Sequence, residues 1–292
     1  MPSWSEILND IDIDRPIDVL NQKRSLFLSD INALTGRNVI AYYSGWLKKA
    51  DAPGLSISDQ DKNAFMSAVY KLDKTKGLDL ILHTPGGDLA ATESLVVYLK
   101  SLFNNDIRAI IPQISMSAGT MIALSCREII MGKQSSLGPI DPQIGVLRVR
   151  LLSMSLREHQ ERWQSIREVG ALANYYREIS STFLTTCDNA VKWSAELAEK
   201  WIKEVDPNID LEKVKNLFLN HNNSYSHSRH ISKEECKSVG IKVIDLELDP
   251  RLQDAVLSLH HCYMILFDRH PVSKIVESHS GNSYIQNYSS PS

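Results

Sequence analysis

Apolar positions along the chain switch repeatedly between two spacings. Asn38 to Trp46 is a β-branched and aromatic run that predicts a strand. From Asp59 to Leu72, the residues Phe65, Val69 and Leu72 recur at helical intervals. Leu78 to Leu82 is a short apolar strand that stops at His83-Thr84-Pro85-Gly86-Gly87-Asp88. Ala90 to Phe103 then resumes the helical period through Ala91, Leu95, Tyr98, Leu99 and Leu102. Ile107 to Ile114 predicts another strand, and Ser115 to Leu124, rich in small residues, a tight turn into a buried helix. Arg127 to Met131 predicts a further short strand, closed by Gly132. Strands and helices alternating over short connections imply βαβ units and a mainly parallel sheet, with right-handed crossovers.

The character changes after Gln143. From Leu147 to about Lys203 the chain lacks proline, and Leu152–Ile166 and Leu172–Phe183 are amphipathic, which predicts a helical insert over residues 147–205. Ser232 to Ser238 reads as a helix, with Ser232 as its N-cap, Glu235 as the capping-box partner and Gly240 just past its end. Ile241–Leu246 predicts a late strand, Arg251–Phe267 a helix and Val272–Val276 a possible last strand. The resulting division is an N-terminal arm over residues 1–30, one elaborated α/β domain over 31–277 and a polar, frayed tail over 278–292.

Composition narrows the function classes. Of 292 residues, 43% are hydrophobic and 23% charged, which is ordinary globular usage and excludes a disordered or fibrous chain. Thirty-two Lys and Arg against 35 Asp and Glu leave a formal charge of −3, with no general attraction for nucleic acid. Ala118–Leu124, the longest membrane candidate, is far short of the ~20 apolar residues of a spanning helix. Acidic residues interrupt the N-terminus, so no signal peptide is expected. Four scattered cysteines, without a C-x-x-C pair, suit reduced thiols and a cytoplasmic location. His260, His261 and His270 lack Asp, Glu or Cys partners at ligand spacing, so no metal and no cofactor is expected.

Two places carry candidate chemistry, each at the carboxyl end of a predicted strand, where open α/β sheets bind ligands. At Pro85-Gly86-Gly87, residues without Cβ atoms let a substrate approach backbone N–H groups. At Ser115-Met116-Ser117-Ala118-Gly119-Thr120, a serine hydroxyl at a strand-to-helix turn lies beside an amide at a helix N-terminus. Together they supply a nucleophile and an oxyanion hole. Taken alone, Pro85-Gly86-Gly87 is usually just a turn and Ser115–Gly119 is more often close helix packing; it is their conjunction, each after an apolar strand, that points to function.

Ile81-Leu82-His83-Thr84-Pro85-Gly86-Gly87, Ile114-Ser115-Met116-Ser117-Ala118-Gly119-Thr120 and Gly132-Lys133-Gln134-Ser135-Ser136-Leu137-Gly138-Pro139-Ile140-Asp141 resemble the Clp-protease/crotonase superfamily. Within it they most resemble the serine dehydrogenase proteinase branch, related to signal peptide peptidase A. The resemblance implies a ββα spiral fold, hydrolysis of peptide bonds, a protein or peptide substrate and homo-oligomers in rings or stacks. Position by position, Ser117 matches the nucleophile, the Gly86 and Ala118 amides match the oxyanion hole, and Gly87 shapes its loop.

The general base departs from the family pattern. Asp141 stands where the Clp proteolytic subunit has its histidine, and no lysine lies between Lys133 and Lys192 to form a Ser–Lys dyad. The remaining candidates are Asp141, His159, His227 and His230, with a histidine of Ser226–His230 as base and Asp141 orienting it. His83 could face the site or pack the strand end. Two other readings stay open: a crotonase-type acyl-CoA enzyme, disfavoured because Ser117–Leu124 has no carboxylate, and a non-catalytic assembly scaffold.

Overall fold

The computed structural model describes residues 7, 16–140, 181–219 and 229–288. The predicted alternation is present. Helix α1 (Pro16–Thr35) leads into β1 (Asn38–Ser44), followed by α2 (Asp59–Ala68), β2 (Leu78–His83), α3 (Leu89–Phe103) and β3 (Ile107–Ile111). A two-residue strand, β4 (Ile114–Ser115), enters α4 (Ala118–Leu124), and β5 (Glu128–Met131) and β6 (Ser136–Leu137) follow. Beyond these lie α5 (Ser181–Val205), α6 (Leu211–Phe218), α7 (Lys233–Ser238), β7 (Val243–Asp245), α8 (Pro250–Arg269), β8 (Val272–Ser278) and β9 (Ser283–Asn287).

The main sheet runs β7-β5-β3-β2-β1-β8-β9. Every pair from β7 to β1 is parallel, while β8 and β9 are added antiparallel. Every residue of β1 and β2 is buried, as expected of strands covered on both faces. Alternation divides them: Ile40, Tyr42, Leu80 and Leu82 join the core with α2, α3 and α4, whereas Val39, Ala41, Tyr43 and Ile81 face α1 and α8. The fold is thus a mixed α/β sandwich whose central strands are parallel, as the alternation predicted.

Three expectations need correction or qualification. The N-terminal arm is, from Pro16 onward, a helix whose Leu20, Leu28 and Ile31 enter the second core. The polar tail is not frayed throughout: Ser283–Asn287 pairs with β8 as the sheet edge. Its side chains alternate between exposed and half-buried, so a polar composition coexists with a strand. Of the helical insert, residues 181–205 are described and form α5, while residues 152–166 and 172–180 lie outside the described residues. The capping box of α7 forms as read, with Ser232 N–H donating to Glu235 Oε2 at 2.8 Å. Among the described residues no helix is long and apolar enough to cross a membrane.

Candidate active site

Because β2 and β3 are parallel neighbours, their carboxyl ends deliver their loops to one place. Thr84, the first residue past β2, bridges to Ser115. Its carbonyl accepts from Met116 N–H at 3.0 Å, and its N–H donates to the Ile114 carbonyl at 3.4 Å. Backbone bonds alone therefore stitch the Gly86-Gly87 loop to the Ser117 turn.

Ser117 caps α4 with φ 49° and ψ −116°. A non-glycine residue at positive φ costs about 1–3 kcal/mol and persists only where its surroundings impose it. Here the imposition is visible. Gly119 N–H donates to the Met116 carbonyl at 2.7 Å, and Met121 N–H to the Ser117 carbonyl at 3.1 Å, closing the turn around the serine. The Thr120 hydroxyl accepts from Gly138 N–H at 3.0 Å and lies 2.9 Å from the Ser115 carbonyl, pinning the first turn of the helix to the strand before it. Within Ile114–Leu124 every residue is buried except Ser117, which is half-buried. The strained turn thus lifts one hydroxyl out of an otherwise buried segment.

Gly86 meets this turn directly. It sits at φ 94°, and a Cβ there would lie 2.7 Å from the Met116 carbonyl, 2.8 Å from Ser117 Cβ and 2.9 Å from Ala118 N. Only a residue without a side chain allows that approach. Ala118 N–H, the first amide of α4, makes no hydrogen bond among the described residues, and its nitrogen borders the same contact. Gly86 N–H meets Thr84 Oγ1 at 3.2 Å, near the long end for an N–H···O bond. Gly87 is exposed and runs beside Ile57, whose N–H donates to the Gly86 carbonyl at 2.8 Å.

Among the base candidates, only His230 is described. It is exposed, and its Nδ1 lies 2.8 Å from Ser136 Oγ. Ser136 belongs to β6, which pairs with β4, the strand leading into Ser117. The next residue, Ile231, exchanges both backbone hydrogen bonds with Leu137, at 2.8 and 3.0 Å. Asp141, His159 and His227 lie outside the described residues. His83 packs the strand end. It is buried, stacks on Tyr43 at 5.3 Å between centroids, and meets the Ser44 carbonyl at 3.2 Å and Gln113 at 3.3 Å. Burial pushes its pKa down to about 4. It keeps company with His260 of α8, on the face away from α4.

Cys126, Cys236 and Cys262 are buried free thiols, each pushed up to about 12 by burial, and so are poor nucleophiles. Among the described residues no group of three or more His, Cys, Asp or Glu is placed to hold a metal ion. Thr84 links both loops, a role that sequence reasoning does not assign to it. Its only sequence signal is its place between an apolar strand and Pro85-Gly86-Gly87.

Two uncharacterized proteins of Methanocaldococcus jannaschii are each 40% identical over 89 residues, which is 30% of this chain and 31% and 30% of theirs. The chain thus matches less than a third of the length of these curated relatives. Among solved structures, a mutant of the 1510-N membrane-bound stomatin-specific protease aligns over 64% of this chain and 74% of its own, at 17% identity and a TM-score of 0.38. Residues 55–272 match the family described as ClpP-like SDH-type serine proteinase. That match runs from the segment beside Gly87 to the start of β8, and by it the chain belongs to the ClpP-like SDH-type serine proteinases.

Proposed function

We propose that this chain is a serine peptidase whose nucleophile is Ser117 and whose oxyanion hole is formed by the Gly86 and Ala118 amides, with Gly87 shaping the loop. The observation that carries this reading is the contact between the strained, half-buried Ser117 turn and a Gly86 backbone that no side chain could replace. In this reading a hydroxyl, a helix-end amide and a second amide serve one small volume. That is the arrangement an attacking serine requires, because charge develops on the carbonyl oxygen as its carbon becomes tetrahedral.

In the proposed cycle, Ser117 Oγ adds to the peptide carbonyl carbon while a base takes its proton. The new oxyanion accepts from Ala118 N–H and from Gly86 N–H, which keeps its long bond to Thr84 as the weaker half of a three-centre bond. The tetrahedral species collapses, the base returns its proton to the departing amine, and an ester to Ser117 remains. Water adds to that ester by the same steps and frees the enzyme. The α4 N-terminus adds a favourable dipole at the developing charge.

For the base, we keep a histidine of Ser226–His230, with Asp141 orienting it or acting through a water. The Ser136–His230 bond supports His230 as a member of the site's wall, because it attaches the histidine to the strand beside β4. The substrate is a protein or peptide segment, and the working form a homo-oligomer. The direct test is turnover. Wild-type protein should cleave an unfolded polypeptide, and Ser117→Ala should retain the fold and lose cleavage. Equal rates in both would remove the peptidase reading and favour a scaffold.

A further inference from the structure

A buried ion pair lies beneath the Gly86 loop, on residues outside both motifs. Lys274 of β8 and Asp61 of α2 are 1% and 2% exposed, and the Lys274 ammonium lies 2.9 Å from both carboxylate oxygens. Removing two charges so completely from water is costly, and such a pair is weak evidence for stability as its purpose. Its connections suggest another purpose, because two arms run from it to the same loop.

The first arm is backbone. Lys274 Nζ donates to the Ser56 carbonyl at 2.7 Å, and Ser58 N–H donates to Asp61 Oδ2 at 2.8 Å, so Ser56–Ser58 is gripped from both sides. That segment in turn holds the loop. Ile57 N–H donates to the Gly86 carbonyl at 2.8 Å, and Asp88 N–H to the Ile57 carbonyl at 2.9 Å. The two backbones are in contact, since a Cβ on Gly87 would lie 2.2 Å from Ile57 N.

The second arm is made of hydroxyls. The Tyr42 hydroxyl donates to Asp61 Oδ2 at 3.1 Å, the Thr84 side chain interacts with the Tyr42 oxygen, and Thr84 Oγ1 accepts from Gly86 N–H at 3.2 Å. Both the Tyr42 hydroxyl and the Gly86 N–H donate in the direction of the carboxylate, so the Asp61 charge favours this polarity along the arm. Tyr42 is wholly buried and stacks on Phe65, which leaves it no other geometry.

We propose that Lys274 and Asp61 are positioning residues for the reaction: their pair fixes the Gly86 carbonyl through Ser56–Ser58 and the Gly86 N–H through Tyr42 and Thr84, and thereby sets the oxyanion hole. This rests on the peptidase reading with Gly86 as an oxyanion donor. Neither residue touches the substrate. The pair acts on the rate of the chemical step because a displaced donor stabilises the transition state less, while peptide binding elsewhere is untouched.

The test compares full-length wild type with Lys274→Met, Asp61→Asn, the double variant D61N/K274M and Tyr42→Phe. Denaturation midpoint, kcat, KM and the rate of fluorophosphonate labelling are measured for each. Each single charge removal should destabilise by stranding the other charge, and the double variant should recover the midpoint. Its kcat and labelling rate should nevertheless stay about tenfold or more below wild type, with KM within about twofold. Tyr42→Phe, which removes one hydroxyl and keeps the volume, should lower kcat without raising KM. A double variant that recovers midpoint and kcat together, or Tyr42→Phe with wild-type kcat, would overturn the proposal. Wild type that is never labelled would instead overturn the peptidase reading beneath it.

Discussion

Gly86 stands against Ser117 so closely that a single added methyl group would lie 2.8 Å from Ser117 Cβ. The contact joins two loops that follow neighbouring parallel strands, and the proposed reaction holds the substrate carbonyl beside it. Gly86→Ala should therefore cost more than its own backbone strain. The methyl would also meet the Met116 carbonyl at 2.7 Å and Ala118 N at 2.9 Å, displacing both amides. The expected loss in kcat is about a hundredfold, the scale of one lost oxyanion donor. Gly36→Ala is the contrast, because Gly36 has φ 67° but nothing within 4 Å of its missing Cβ. That variant should lose about 1 kcal/mol of stability and keep its activity. Parallel steady-state assays and urea melts of the two variants check this.

The base can be found by elimination. Asp141→Asn, His227→Ala and His230→Ala should be measured in one peptidase assay beside Ser117→Ala. Members of a catalytic unit are non-additive, so loss of the true base should cost nearly as much as loss of the serine. His230→Ala is expected to lower kcat, since the Ser136 bond holds the ring on the strand next to β4. If all three keep near-wild-type rates while Ser117→Ala is dead, the base lies elsewhere.

His83 should make stability depend on pH. It is neutral in the fold, with its pKa lowered from 6.5 to about 4 by burial. The unfolded chain binds its proton first as pH falls, so stability is fully present above about pH 6.5 and is lost down to about pH 4. The loss from this group is about 3 kcal/mol at most. Urea melts at pH 7 and pH 4.5 should show a smaller difference for His83→Phe than for wild type. An unchanged difference would contradict the assignment.

Self-association is expected as well. Light scattering should return a multiple of the 32.9 kDa chain mass at micromolar concentration. A single-chain mass across that range would exclude a stable homo-oligomer.

The parallel core was legible because each strand is a short apolar run and each helix keeps a clear period. Both site loops were legible for the same reason, since glycines and small residues punctuate the strand ends. What escaped was information that one strand or helix does not carry. Ser283–Asn287 is polar because it forms the sheet edge, where one rim meets solvent, and composition alone resembles a tail. In α1 the buried Leu20, Leu28 and Ile31 are separated by Asn21, Gln22, Lys23, Ser25, Ser29 and Asp30, and the buried position between them is held by Arg24, so the apolar stripe is thin. Lys274 and Asp61 are 213 positions apart, and no spacing rule connects a lysine in one strand to an aspartate in the first turn of a distant helix.

Every step of the proposed reaction depends on Ser117 as the nucleophile. A fluorophosphonate probe phosphonylates an activated serine and leaves its oxygen in the oxyanion hole, so it reports the hydroxyl and both amides in one event. Peptide mapping of the labelled wild-type protein should place the adduct on Ser117, and Ser117→Ala should take up none. Label on another residue, or equal labelling of Ser117→Ala, would contradict the assignment.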